Sequence, residues 1–169
     1  GYFGNNNGVG TGANEGCTAC DPNSDGCTTT SAGTCTRGYY GYANLGSCTP
    51  CPAGKYKSGV GDGTETSVCA FPAAGTCSSI DGTTCSGDTT GARTTMTCGL
   101  GTYQDTNNAA AKLCKDVYPG REAVDGDGTY ASEGAVQEAN CPAGKYNLNG
   151  DNACVEVLAG YITGTSRSE

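Results

Sequence analysis

One hexapeptide, Cys-Pro-Ala-Gly-Lys-Tyr, stands at residues 51–56 and again at 141–146. A looser pattern surrounds it. Cys35 opens C-T-R-G-Y-Y and Cys98 opens C-G-L-G-T-Y, so C-x-x-G-x-Y occurs four times. The next cysteine follows 13 to 18 residues later each time, at Cys48, Cys69, Cys114 and Cys154. Chance does not place Cys, Gly and Tyr at fixed offsets four times in 169 residues. The chain reads as a degenerate repeat array, and that constrains the fold before any local propensity does.

Units this short cannot each bury a core, and the composition offers no large one to share. Leu, Ile, Val and Phe together number 17 of 169 and the net charge is −8, both of which lean towards disorder. Thirteen cysteines among 29 glycines argue the other way. Such a density reads as a disulfide framework, in which each closed loop of about 15 residues is worth roughly 3 kcal/mol. "CTAC" (17–20) and "CTPC" (48–51) have the spacing of a zinc knuckle, but the chain has no histidine and the other cysteines are irregularly spaced. Disulfides are therefore the favoured reading over zinc. Bridges in this number place the protein in an oxidising compartment, extracellular or at the cell surface.

Inside the motif, Gly at the fourth position permits a tight turn with positive φ just after the bridged cysteine. The Tyr two residues later is expected to lay its ring across the disulfide or the turn, with its hydroxyl in water. Small units of this kind stabilise one another by stacking.

The fuller pattern C-x-x-C-P-x-G-x-Y, followed by a Gly-rich loop and another cysteine, resembles the ephrin-receptor-like and growth-factor-receptor-like cysteine-rich modules. It is also similar to repeats of ciliate immobilisation antigens and of flagellar-hair glycoproteins. The match is strongest over Cys48–Cys69 and Cys141–Cys154, fair over Cys35–Cys48 and Cys98–Cys114, and slight over 69–98 and 115–140. The resemblance implies elongated, disulfide-laddered ectodomains used for display, adhesion or assembly, without catalysis.

If each C-x-x-G-x-Y cysteine closes onto the next cysteine, the bridges are Cys35–Cys48, Cys51–Cys69, Cys98–Cys114 and Cys141–Cys154. Local pairing of the remainder gives Cys20–Cys27 and Cys77–Cys85 and strands Cys17. A rival assignment crosses bridges within 69–98, and sequence leaves both open. Cys17 is then expected to pair with a cysteine outside these residues or with a neighbouring chain.

The expected fold class is a set of small disulfide-rich repeats, elongated and mostly coil, with short β-hairpins and at most one or two short helices. The expected organisation is a partial N-terminal cysteine-rich repeat (1–34), two C-x-x-G-x-Y repeats (35–69), a divergent cysteine-rich insertion (70–97), a repeat plus a long loop (98–140), and a repeat with the start of a further one (141–169). Both ends read as cuts through an array. Short strand signals stand at 37–43, 54–60, 94–100 and 155–163. Helix propensity is highest at 107–117, with Asn108 as N-cap, and a turn or two is expected at 132–139.

Few polar stretches suggest chemistry. "DPNSDG" opens like a calcium loop, with Asp21, Asn23 and Asp25 as oxygen ligands and Gly26 at the turn, but Ala32 stands where an EF-hand needs its acidic ligand. Asp125 and Asp127 in "DGDGT" are a second such candidate. Calcium is the one cofactor the residues suggest. Thr28, Thr29 and Thr30 are candidates for O-linked sugar. Without histidine, and with its cysteines bridged, the chain lacks the usual proton carrier and a free thiolate nucleophile, so an enzyme is disfavoured. Nine scattered basic residues among seventeen acidic ones argue against nucleic acid. No apolar run in this segment is long enough to span a membrane.

Two functions fit. One is an extracellular structural protein, a segment of a self-assembling filament or surface coat whose partners are copies of itself or adjoining repeats. The other is a receptor-like or adhesive ectodomain that binds a protein or glycan ligand, with 69–98 and 115–140 as its recognition face.

Overall fold

A computed structural model of the protein describes residues 2–4, 17–105, 113–150 and 153–158. Among them the fold is mostly coil, punctuated by seven two-stranded antiparallel sheets, one 3-10 turn (Ala43–Leu45) and one short helical turn (Glu65–Val68). Six disulfides cross-link it: Cys20–Cys27, Cys35–Cys48, Cys51–Cys69, Cys77–Cys85, Cys98–Cys114 and Cys141–Cys154. Two local expectations fail. Residues 137–140 are strand, because Gln137–Asn140 pairs with Arg121–Val124. Lys115–Asp116 is also strand, paired with Thr102–Tyr103. Tertiary pairing overrides a weak helical propensity in both places. The first part of the expected helix, at 107–112, lies outside the described residues.

The repeated motif is a turn. Tyr39, Lys55, Thr102 and Lys145 each donate a backbone N–H to the carbonyl three residues earlier, at 3.0 to 3.1 Å. The glycine between them has positive φ, as the third position of a type II turn requires. The same turn appears twice where the sequence shows no such motif. Thr76 donates to Ala73 across Gly75, and Arg121 donates to Tyr118 across Gly120. Over all six turns the glycine φ lies between 70° and 84°. The segments read as an insertion (70–97) and a long loop (115–140) therefore begin with the same unit, its leading cysteine replaced by Pro72 or Val117. Like Cys35, both are buried. An apolar side chain fills the space that half a disulfide fills elsewhere.

The six units alternate between two kinds and make three modules: 35–71, 72–116 and 117–156. In each module an opening hairpin pairs the residue after the glycine with the residue before the next leading cysteine: Tyr39 with Pro50, Thr76 with Thr97, Arg121 with Asn140. A closing hairpin then pairs the motif tyrosine with the residue after the closing cysteine: Tyr56 with Ala70, Tyr103 with Lys115, Tyr146 with Val155. The two are tied by a repeated exchange. Gly38, Gly75 and Gly120 donate to the carbonyls of Lys57, Gln104 and Asn147, and accept from the N–H of Cys51, Cys98 and Cys141.

Modules join through a seam that also repeats. Gly91 donates to Cys51 O (2.8 Å) and Lys57 donates to Ala92 O (3.1 Å). One module later, Gly134 donates to Cys98 O (2.7 Å) and Gln104 donates to Ala135 O (3.0 Å). Ala92 and Ala135 are fully buried. The approach is close enough that a Cβ on Gly38 would strike Gly91 O, and one on Gly75 would strike Gly134 O. Among the described residues, backbone hydrogen bonds reach no further along the chain than Gly91 to Cys51. A chain that touches only neighbouring units grows in one direction, which makes the array elongated.

Candidate functional site

What fills the interior is polar. The residue after the motif tyrosine points inward: Lys57, Gln104 and Asn147 are buried, while Tyr56 and Tyr103 are half-buried and Tyr146 is exposed. The expected arrangement, a ring covering the bridge, gives way to a buried polar node beside it. Lys57 is the clearest case. Its Nζ donates to Cys35 O (3.1 Å), Thr36 O (3.4 Å), Tyr39 O (2.6 Å) and Gly61 O. Burial pushes the Lys57 pKa below the ordinary lysine value, and the Asp62 carboxylate opposes the shift. Gln104 Nε2 donates to Leu113 O at 2.6 Å, and Asn147 Nδ2 donates to Arg121 O at 2.9 Å. Each node adds a side-chain donor to backbone carbonyls of a neighbouring segment, joining short strands and turns that no larger sheet unites.

Carboxylates complete the frame from the donor side. Asp62 Oδ1 accepts from Cys35 N (2.8 Å) and Ala43 N (3.2 Å), Asp21 Oδ2 accepts from Cys48 N (3.0 Å), and Glu122 Oε2 accepts from Cys154 N (2.8 Å). Both cysteines of the Cys35–Cys48 bridge are thus held by carboxylates from flanking units. Asp81 closes a turn by accepting from Thr83 N and Thr84 N, which hold its pKa well below the usual carboxylate range. Of these residues only Asp21 belongs to a motif that the sequence singled out, and there as a calcium ligand. The signal available was the K, Q or N that follows the tyrosine in three of the four repeats.

The candidates named from sequence are dispersed. Asp21 Oδ1 accepts from Asn23 N at 2.8 Å and its other oxygen holds Cys48 N, while Asp25 is exposed in the Ser24–Asp25 strand. This is an Asx turn that locks a bridge, with the Asp21 oxygens already engaged. Asp125 and Asp127 likewise accept from backbone N–H groups of their own loop, and the Thr129 hydroxyl lowers the Asp127 pKa first among its causes. Thr28, Thr29 and Thr30 are exposed at a tip beyond the Cys20–Cys27 bridge. Glu138 pairs with Arg121. Cys17 pairs its backbone with Gly4, but its side chain lies outside the described part of the chain.

One open groove of about 720 Å³ crosses the first and second modules. Arg37, Tyr39 and Val60 line one side, Ile80, Asp81 and Arg93 the other. Lys55, Lys115 and Arg121 are ion-paired and Lys57 is caged. Arg37 and Arg93, by contrast, face solvent without a side-chain partner among the described residues. A Cβ on Gly38 would stand 3.2 Å from Arg93 Cγ, so the Arg93 stem lies against the backbone next to Arg37. Elsewhere two bridges touch: Cys85 Sγ lies 3.7 Å from Cys114 Sγ.

Among the described residues no helix is long and apolar enough to cross a membrane. The six bridges are a chemistry typical of extracellular or secreted proteins. No protein-family model matches the chain, and no curated protein matches it.

Proposed function

We propose that the chain is a segment of an extracellular structural protein, a cysteine-rich stack that serves in a filament or cell-surface coat. The observation that supports this most is the seam. The contact between the first and second modules recurs between the second and third, residue for residue: Gly38, Cys51 and Lys57 against Gly91 and Ala92, then Gly75, Cys98 and Gln104 against Gly134 and Ala135. An interface that repeats along one chain is the geometric requirement for a linear array. The likeness of C-x-x-C-P-x-G-x-Y to repeats of ciliate surface antigens and flagellar-hair glycoproteins points the same way. Negative-stain microscopy of native material, run beside reducing and non-reducing gels, tests the reading. Regular fibres or a reducible ladder are expected, and isolated monomers on both gels overturn it.

A second reading, a ligand-binding ectodomain, rests on the groove. Ile80, Asp81 and Arg93 come from the segment that departs most from the repeat, and they face Arg37 and Tyr39 of the first module. Two unpaired guanidinium groups in a chain of net charge −8 suit a ligand carrying carboxylate or sulfate groups. Binding to an array of acidic and neutral glycans, compared between the native chain and Arg37→Gln with Arg93→Gln, decides it. Acidic glycans retained only by the native chain favour this reading, and equal retention removes it.

A further inference from the structure

We propose that Cys85 and Cys114 form a thiol-exchange site. There a small-molecule thiol converts two neighbouring bridges into one Cys85–Cys114 bridge with two buried thiols. The inference does not depend on the filament reading.

Three observations carry it. The sulfurs of Cys77, Cys85 and Cys114 all lie within 4.8 Å of one another, and Cys85 to Cys114 is 3.7 Å, a van der Waals contact between the Cys77–Cys85 and Cys98–Cys114 bridges. Among the described cysteines this is the only such trio drawn from two bridges. Accessibility divides the four unequally: Cys77 and Cys98 are fully buried, while Cys85 and Cys114 are partly exposed. The two sulfurs that a solvent thiolate can reach are therefore the two that touch. Finally, the loop after Cys85 lies on the chain before Cys114, since a Cβ on Gly87 would meet Leu113 Cδ2 at 3.6 Å. Little movement separates them.

The chemistry is thiol–disulfide exchange. A thiolate RS⁻ attacks Cys85 Sγ, breaking the Cys77–Cys85 bond, and the electron pair leaves on Cys77, which takes a proton from water. A second RS⁻ resolves the mixed disulfide to RSSR and frees the Cys85 thiolate. That thiolate attacks Cys114 Sγ, and the Cys98–Cys114 bond breaks with its electron pair leaving on Cys98, which is protonated in turn. Two RSH are oxidised to RSSR, and the protein gains two thiols, Cys77 and Cys98. Burial disfavours the thiolate form, so both products are held as unreactive thiols while the exposed pair is bridged. The new bond ties the opening hairpin of the second module to its closing hairpin, which neither original bridge does. The ladder thus loses one bridge without losing its covalent continuity at that module.

The full chain is incubated in native buffer with increasing glutathione, alkylated, cleaved at Asp81, Arg93 and Lys112 so that all four cysteines fall on separate peptides, and mapped. In molecules that have lost one bridge, most are expected to carry label on Cys77 and Cys98 and a linked Cys85–Cys114 peptide. Retention of Cys77–Cys85 or Cys98–Cys114 in those molecules, with no linked Cys85–Cys114 peptide, overturns the proposal. Cys77→Ser tests the same step without added thiol. Cys85–Cys114 with a free Cys98 is expected, whereas free Cys85 beside an intact Cys98–Cys114 bridge overturns it. Cys141→Ser, which leaves Cys154 with no third sulfur nearby among the described residues, is expected to show a free Cys154 and no new bridge.

Discussion

The first module and the third have the same backbone pairing and different fasteners. In the first, Cys35–Cys48 and Cys51–Cys69 close both hairpins, and the Lys57 ammonium sits in a cage of carbonyls. In the third, only Cys141–Cys154 remains. Val117 takes the place of Cys35 and packs with Ala123 and Ala135, and Asn147 takes the place of Lys57. Yet Gly120 and Asn147 exchange the same bond as Gly38 and Lys57, in the same register. The type II turn and the backbone exchange define the unit. Bridge, ammonium, amide and small apolar cluster are interchangeable means of holding it.

The sharpest break in that comparison is removal of a bridge. Cys141→Ser with Cys154→Ser takes away the third module's sole disulfide, at about 3 kcal/mol by loop entropy. Native-state hydrogen exchange is expected to show protection lost across 117–156. Cys51→Ser with Cys69→Ser costs about as much, but protection at 35–50 should survive on Cys35–Cys48 and its carboxylate caps. Equal, whole-chain loss in both variants would mean that the modules are not separable units.

Next in size is the polar node. Lys57→Met takes the ammonium from Tyr39 O and Gly61 O, while Cys35 O and Thr36 O keep backbone donors, for an expected loss of about 3 kcal/mol. Lys57→Gln, the residue used at the same position in the second module, should recover about 1 to 2 kcal/mol of that through its amide. Urea unfolding of the two variants measures the difference. If Met and Gln are equivalent, the fasteners are not interchangeable.

A mostly coil, hairpin-based fold held by six disulfides was legible in the sequence, because bridges between cysteines near in sequence and turns at Gly leave a short-range signature. The turns at Gly75 and Gly120 were not legible, since Pro72 and Val117 stand where the motif's cysteine should be and only burial reveals the equivalence. Nor were the coupling residues Gly91–Ala92 and Gly134–Ala135, which matter for how closely they are approached: opposite them, a Cβ on Gly38 or Gly75 would strike Gly91 O or Gly134 O. The burial of Lys57, Gln104 and Asn147 was not legible either, because a buried ammonium or amide is the exception in chains with a large core. Here no such core exists, and the polar groups occupy its place.

Glycine substitutions probe the seam itself. Gly38→Ala and Gly75→Ala each carry about 1 to 2 kcal/mol for left-handed backbone, and in addition each new methyl meets a seam carbonyl, Gly91 O or Gly134 O. Gly120→Ala carries only the backbone part, since nothing lies within 4 Å of its Cβ position. Thermal unfolding is expected to rank Gly38→Ala and Gly75→Ala together, below Gly120→Ala. Equal losses at all three would show that the seam gives way at little cost.

The smallest expected effect separates the two kinds of fastener by pH. Lys57 has a folded pKa below its unfolded value of 10.5 because burial disfavours its charge. Between those two values the unfolded chain binds more protons, so this group makes stability rise as pH increases through the window below 10.5. Tyr103 acts with the opposite sign: burial raises its pKa above 10.0, so above that value the unfolded chain loses its proton first and stability falls. Asn147 contributes nothing to either slope. Unfolding free energy followed from neutral pH to 10 should therefore rise more in the native chain than in Lys57→Gln, while Asn147→Gln keeps the native slope. If Lys57→Gln keeps that slope as well, the ammonium is not held in its cage in solution, and the first module rests on its two bridges alone.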